Sequence, residues 1–321
     1  MKNILVTGAC GLMGEKICSG LLKKGCFILG TDRQTSDYNL AKDNYVFTDL
    51  TPQQKDKFPS LLKEYNIDTV IHAACTVDND FGPIIDEAQS KISRMYDEFV
   101  YDESVNAGVK QFILVSTSQV YEMPKTREPI REDDFVKPAT NYGRLKYDSE
   151  KRLVAALNAK KGDIDMLTAI CRVAPIYTFE YVENLRSKII DPKDGMAFMY
   201  RTGEYRFQFC CLHNLVDFII SFIRQADSSS YTGVYNVCDN VLISASEIAT
   251  FLRNNYNLGP VIQRSVGKDS FKSKINIFKS RDEQKKNYRY LDVDDMLNNN
   301  MLDNRKAARF AAFKWNLENT K

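Results

Sequence analysis

With 321 residues, 44% of them hydrophobic and 27% charged, the chain has an ordinary globular composition and the length of about two domains. Its 44 Lys and Arg against 42 Asp and Glu leave a formal charge of +2, which gives no electrostatic case for a nucleic-acid or anionic-membrane partner. Eight cysteines scattered on apolar segments without a Cys-x-x-Cys pair, and only two histidines, His72 and His213, argue against a disulfide framework, a zinc site or a histidine-based triad.

In chain order, Asn3–Gly8 (NILVTG) is a short apolar run closed by glycine, the pattern of a buried parallel strand. Starting at Met1, the sequence leaves no room ahead of this strand for a signal peptide, and no apolar run approaches the roughly 18–20 residues that span a bilayer. The expectation is a soluble cytoplasmic protein. A helix with Leu12, Ile17, Leu21 and Leu22 on its apolar face follows, then strands at Cys26–Asp32 and Tyr45–Leu50. Pro52–Tyr65 reads as helix, Asp68–Ala74 as strand, Ile84–Ala107 as a long helix, Gln111–Thr117 as strand, Tyr142–Lys160 as helix and Ile164–Arg172 as strand. Strand and helix alternating at this spacing predict an α/β fold, a Rossmann-type doubly wound parallel sheet.

Beyond Arg172 the alternation loosens. A helix near Leu215–Ile223, a strand at Val234–Val237 and a helix at Ser244–Asn255 remain readable, while the tail from Asp269 has weak periodicity. The implied division is a dinucleotide-binding domain of residues 1–172 plus about 208–240, with residues 173–207 and 241–321 forming a smaller C-terminal substrate lobe. Cys210, Cys211 and His213 cluster before an apolar helix without a fourth ligand and read as core, so no metal is expected.

Thr7–Gly14 (TGACGLMG) sets Gly8, Gly11 and Gly14 at the first strand–helix junction. A dinucleotide pyrophosphate needs such glycines for the tight turn, for close backbone approach and for helix–strand packing, with the helix N-terminus facing the phosphates. Asp32 ends the next strand 18 residues beyond Gly14, close to the ~20 at which an acidic residue meets the adenosine ribose. Its carboxylate repels a 2′-phosphate and favours NAD. Arg33 is able to neutralise such a phosphate, so NADP is the less favoured alternative.

Tyr-x-x-x-Lys occurs four times: Tyr38/Lys42, Tyr121/Lys125, Tyr142/Lys146 and Tyr147/Lys151. Residues four apart share a helix face, so the lysine's charge can lower the phenol's pKa toward the range of a general base. Pro124 argues against a helical Tyr121 pair, and Tyr38 follows the second strand, at the adenosine end. Tyr147 lies about 140° round the helix from Tyr142, so only one of the two can face a cofactor. Tyr142, at the helix start beside Thr140 and Asn141, is the better placed. Tyr147 is expected to point to solvent or a subunit contact.

The glycine turn, Asp32, His72–Ala74 (HAA), Val115–Tyr121 (VSTSQVY) and Pro138–Lys146 (PATNYGRLK) come in the order seen in extended short-chain dehydrogenases/reductases, and the chain resembles their NAD-dependent epimerase/dehydratase branch. The resemblance is strong over about residues 1–175, looser to about Glu247 and very weak in the tail. It implies Thr117, Tyr142 and Lys146 as catalytic residues: Tyr142 takes a proton from a substrate hydroxyl as hydride leaves for the nicotinamide, Thr117 binds the same oxygen, and Lys146 holds the nicotinamide ribose. It extends the cofactor site from Gly8, Gly11, Gly14, Asp32, Arg33 and Lys146 to Cys10, Leu12, Met13, Asp49, Leu50, Ala73, Ala74 and Arg172. Ser118, Gln119 and Arg206 become substrate contacts.

The resemblance also implies a homodimer through the Ile84–Ala107 and Tyr142 helices, with Tyr96, Phe99, Val100, Leu153 and Val154 as candidate interface residues. Its leading activity is an NAD-dependent epimerase of a nucleotide-activated sugar; the alternative is a dehydrogenase or carbonyl reductase of a sugar or other small molecule. Ser118 and Gln119 stand where dehydratases of the branch carry Asp-Glu, which argues against sugar dehydration. Pro175 replaces an asparagine typical of sugar-nucleotide enzymes, and the Leu-Gly-Trp-x-Pro landmark near the C-terminus is missing, so the substrate lobe is divergent.

Overall fold

A computed structural model describes residues 2–33, 44–50, 52–75, 87–121, 128–159, 166–191, 194–225, 229–266 and 301–321. Tyr38, Lys42, Pro124, Lys125, the start of the long helix at 84–86 and the tail over 269–300 lie outside the described residues.

Among the described residues, six strands precede residue 175: β1 (Asn3–Thr7), β2 (Phe27–Asp32), β3 (Tyr45–Asp49), β4 (Thr69–His72), β5 (Gln111–Thr117) and β6 (Leu167–Val173). Then come the short β7 (Ile176–Tyr177), β8 (Ala197–Tyr200), β9 (Arg206–Phe207) and β10 (Cys210–Cys211), followed by β11 (Gly233–Val237), β12 (Ile243–Ser244) and β13 (Val261–Arg264). The helices are α1 (Leu12–Leu22), α2 (Phe58–Glu64), α3 (Glu87–Asn106), α4 (Asn141–Ala159), α5 (Glu183–Ile189), α6 (Leu212–Gln225) and α7 (Ala245–Tyr256).

Seven strands form one sheet in the order β11-β6-β5-β4-β1-β2-β3, every pair parallel. All seven residues of β5 and of β6 are buried, because helices cover both faces of a parallel sheet. Successive strands move outward on either side of β1, so the order reverses between β1 and β4. A crevice opens there at the strands' carboxyl ends, the place where open α/β sheets bind ligands.

One core lies between the sheet and the α1/α6 pair. Gly20 lets these two helices close up: a β-carbon there would fall 2.4 Å from Val216 Cγ1. The other face is filled by α2, α3 and α4, and Tyr96, Val100 and Leu153 belong to that core. These three do not form an external surface, as a dimer-interface assignment would have them. Helical periodicity marks an apolar face without saying what covers it. Among the described side chains of α3 and α4, the exposed large apolar ones are Ile92, Met95 and Val154.

A third core gathers β7, α5, β8, β9, α7 and β13 with Trp315 and Leu317. Here α7 starts on a capping box, Ser244 accepting from the Glu247 amide while the Glu247 side chain takes the Ser244 amide. The last 21 residues serve both bodies: Leu302, Ala307, Phe310 and Phe313 pack into the α1/α6 core. Ile130 and Met301–Asp303 exchange backbone hydrogen bonds of 2.8 Å. Among the described residues, no helix is long and apolar enough to cross a membrane.

Candidate active site

The turn after β1 is built by exclusion. Gly8 has φ +71°, and a β-carbon on it would lie 2.7 Å from the Ala74 amide nitrogen; one on Gly14 would lie 2.0 Å from Gly8 O. Only backbone fits at these positions. Gly11 is exposed as the N-cap of α1, so the open side of the turn faces out beside a helix start whose first amides have no intrahelical acceptor. A cradle with no room for side chains, beside a helix start whose first amides find no acceptor within the helix, fits a dinucleotide pyrophosphate. Leu12 and Met13 are partly buried against the α1/α6 core.

Asp32 is stitched to the same turn. Its Oδ2 accepts the Cys10 amide at 2.9 Å and its Oδ1 the Arg33 amide at 2.7 Å. Asp49 is its register partner on β3, and the buried Leu50 donates its amide to Asp32 O at 2.9 Å. The Ala73 amide bonds Thr7 O at 3.2 Å and the Ala74 amide bonds Thr7 Oγ1 at 3.3 Å. These cofactor candidates therefore meet along the carboxyl ends of β1 to β4.

Thr117 ends β5 in extended conformation and caps the 3₁₀ turn Ser118–Val120, accepting the Gln119 amide at 3.3 Å. Ser116 faces the opposite way and donates to Glu150 Oε1 at 2.5 Å. The start of α4 presses on this turn: Thr140 Oγ1 accepts the Gly143 amide and donates to Gln119 Oε1, both at 3.0 Å. The Gln119 side-chain amide oxygen is thus engaged in the scaffold that sets Tyr142, while Ser118 is buried in the turn. Arg206 lies apart on β9, exposed, with Nη1 3.3 Å from Leu242 O.

Tyr142 and Lys146 occupy successive turns of α4. Lys146 is buried and donates to Val115 O at 3.0 Å, leaving two ammonium protons for other partners. Burial pushes the Tyr142 phenol above its ordinary value, with Lys146 pulling it down and Cys75 pushing it up. Burial also works against the charge on Lys146, but Cys75, Tyr142, Asp97 and Glu150 outweigh it and hold the ammonium above its ordinary value. The two groups stabilise each other's charged forms, which suits a tyrosine that gives and takes a proton. Tyr147 instead packs partly on the α1/α6 core, with Lys151 Nζ 4.9 Å from its ring centre and ion-paired to Asp148 at 2.8 Å.

The sequence from residue 4 to 238 matches the family model described as the NAD dependent epimerase/dehydratase family. The chain belongs to that family. Among curated proteins it is 26% identical to Xenopus laevis methionine adenosyltransferase 2 subunit beta over 83% of this chain and 77% of that one. It is 24% identical to Vibrio cholerae UDP-glucose 4-epimerase over 77% and 74%. A match to the uncharacterized protein y4nG of Sinorhizobium fredii, 28% identical over 47% of this chain, spans 36% of that protein. In solved structures the fold recurs in UDP-glucuronic acid 4-epimerase of Bacillus cereus in complex with UDP-glucuronic acid and NAD. That structure has a TM-score of 0.71 at 17% identity, over 99% of this chain and 96% of that one. MoeE5 in complex with UDP-glucose and NAD gives 0.69 at 19%, over 99% and 96%.

Within this epimerase/dehydratase frame, Arg172 sits away from the glycine turn. It is buried on β6, its Nη2 and Nε bonded to Glu150 Oε2 at 2.8 and 3.1 Å and its Nη1 to Tyr121 OH at 2.8 Å and Glu132 O at 3.0 Å. Tyr121 passes the chain on to Asn236 at 2.7 Å, tying β11 to the site strands. Cys210 and Cys211 are buried, and no disulfide joins any of the eight cysteines. Among the described residues no three His, Cys, Asp or Glu side chains gather as metal ligands. Glu150, Asp97, Ser149 and Cys75 are the neighbours of the site that reading the sequence missed. Ser149 and Glu150, three and four residues beyond Lys146, share its helix face, a local signal that Asp97 did not offer.

Proposed function

We propose that this chain is an NAD-dependent epimerase of a nucleotide-activated sugar. The observation that carries the reading is Tyr142 and Lys146 on one face of α4, with α4 docked by Thr140 and Gly143 onto the turn that Thr117 caps. Tyr142 removes the proton of a sugar hydroxyl and returns it. Thr117 hydrogen-bonds the same oxygen in both directions and so fixes which carbinol is presented. Lys146 keeps a positive charge beside the phenol, stabilising the phenolate when the proton has gone. Bound in the cradle of Gly8, Gly11 and Gly14, with its adenosine ribose on Asp32, the dinucleotide would take up hydride and give it back.

Support comes from the family and from the UDP-glucose and UDP-glucuronic acid 4-epimerases among its relatives and fold neighbours. The reading includes a homodimer, for which Ile92, Met95 and Val154 offer an exposed apolar strip on α3 and α4; a monomer at micromolar concentration would remove that part. The test is to purify the protein without added cofactor, denature it and quantify released dinucleotide by mass spectrometry. The protein is then incubated with UDP-glucose and UDP-glucuronic acid. Near one NAD per chain with epimerised sugar supports the reading. An empty protein that consumes external dinucleotide makes it a dehydrogenase or reductase, the alternative favoured by Pro175 and its lack of a donor. Recovery of NADP would overturn the role given to Asp32.

A further inference from the structure

Behind the site, four buried side chains from four elements form one hydrogen-bonded chain. His72, the last residue of β4, places Nδ1 2.7 Å from Thr7 Oγ1 at the end of β1 and Nε2 2.8 Å from Asp97 Oδ1 on α3. Ser149 of α4 donates to the other Asp97 oxygen. The donors assign the protons. An ionised Asp97 only accepts, so in a neutral His72 the ring proton sits on Nε2; Nδ1 then accepts, and the Thr7 hydroxyl is its donor while receiving the Ala74 amide. With the ring in that neutral form, the carboxylate's charge is not cancelled within the chain.

That charge bears on Lys146. Ser149 lies three residues beyond Lys146, so Asp97 meets α4 on the face that carries the ammonium. Of the four acidic groups whose fields reach Lys146, a thiol and a phenol are ordinarily neutral near pH 7, and Glu150 is matched by Arg172. Asp97 is left as the unmatched anion of that set. Among the described residues, His72 from β4 also faces it, as does its own neighbour Tyr96, whose phenol is pushed up by burial first and by Asp97 second.

We propose that Asp97 is a positioning residue of the catalytic centre: through His72 and Ser149 it fastens α4 to the strand that ends in the cofactor turn, and it provides the counter-charge for Lys146 beside Tyr142. The proposal rests on the reading that Tyr142 and Lys146 do acid–base work. It also joins the cofactor seat to the lysine, because the Ala74 amide held by Thr7 is the group that denies Gly8 a side chain.

The experiment is D97N, which keeps the shape and removes the charge. Taking away a negative charge lowers the pKa of each group near it. The Tyr142 phenolate is followed by near-ultraviolet absorbance against pH, as the difference between each protein and its Y142F counterpart, with no substrate needed. D97N lowers the pH at which Lys146 gives up its proton, and is expected to displace the phenolate titration coupled to it, and the basic limb of the turnover profile, by roughly one unit. A folded D97N whose titration superimposes on that of the unaltered protein overturns the proposal.

S149A leaves the charge but cuts the tether to α4, and about a tenfold fall in turnover and a loss of retained dinucleotide are expected. If D97N does not fold, S149A decides: unchanged turnover and dinucleotide content overturn the proposal. If the unaltered protein neither holds dinucleotide nor epimerises a nucleotide sugar, the functional reading has failed. The phenolate titration still decides on Asp97.

Discussion

The carbonyl oxygen of Gln119 leaves no space for a side chain at Gly143: a β-carbon there would stand 2.5 Å from it and 3.1 Å from the carbonyl carbon. Tyr142 is the residue before this contact, so the closeness of helix to turn sets how far the phenol stands from Thr117. Alanine is the better helix former by about 1 kcal/mol, but relief of the clash requires α4 to withdraw by several tenths of an ångström or more. G143A should therefore melt close to the unaltered protein while losing on the order of 100-fold in turnover. Thermal melts and initial rates on the same samples check this; full activity in G143A would show that the contact does not set the catalytic geometry.

Glycine positions also separate cofactor seating from stability. At Gly14 a β-carbon would meet the Gly8 carbonyl at 2.0 Å, whereas at Gly259 nothing lies within 4 Å. G14A should emerge from purification with at least tenfold less dinucleotide, because the helix must back away from the turn that presents its amides. G259A should match the unaltered protein in dinucleotide content and fall within about 0.5 kcal/mol of it in stability. Mass spectrometry of the denatured proteins gives the first comparison and urea melts the second.

The Arg172–Glu150 pair should dominate any list of destabilising changes near the site. Both side chains are buried, the arginine makes two bonds to one carboxylate oxygen and its remaining donors reach Tyr121 and Glu132. E150A strands a guanidinium in the interior and should cost about 3–5 kcal/mol. The double change E150L/R172M removes both charges and should be less destabilised than E150A alone. Urea unfolding of the three proteins checks the order; a double variant worse than E150A would mean that the Tyr121 and Glu132 contacts matter more than the ion pair.

Much of this architecture could be read from the chain because its causes are local. A buried parallel strand announces itself as a continuous apolar run, as in Phe112–Val115, and a glycine turn needs its glycines next to one another in sequence. The strand–helix alternation up to Arg172 follows from these alone. What escaped reading depends on partners far apart: Asp97 meets His72 across 25 residues and Ser149 across 52, and nothing around Asp97 distinguishes it from a solvated helix acid. Tyr96, Val100 and Leu153 look the same in sequence whether a helix turns them inward or toward another subunit. Trp315 gave no periodic signal either, yet it bonds Asn214 through its backbone and Asp217 through its indole, and so anchors the chain's end on α6.

That anchor leads to Asp239, whose behaviour with pH is the last expectation. Its carboxylate accepts the Cys211 amide at 2.8 Å, Asn214 Nδ2 at 2.7 Å and Tyr177 OH at 2.9 Å, all neutral donors, so β11, β10, β7 and α6 converge on one buried acid. Burial pushes its pKa up from 3.8 to about 6, against the pull of those three hydrogen bonds. An acid whose folded pKa is raised holds its proton longer in the folded state, so ionisation works against folding. The stability this group allows is greatest at low pH and is lost as pH climbs from the unfolded value of 3.8 through about 6. Between about pH 5 and pH 7 that loss should be on the order of 1 kcal/mol. D239N accepts the Cys211 and Asn214 donors on its oxygen and presents its amide to Tyr177, whose hydroxyl oxygen can accept. The difference in stability between D239N and the unaltered protein should therefore shift in favour of the variant as pH rises over this range. Urea melts at a series of pH values follow that difference, and a flat one would mean that Asp239 is already ionised without penalty in the folded protein.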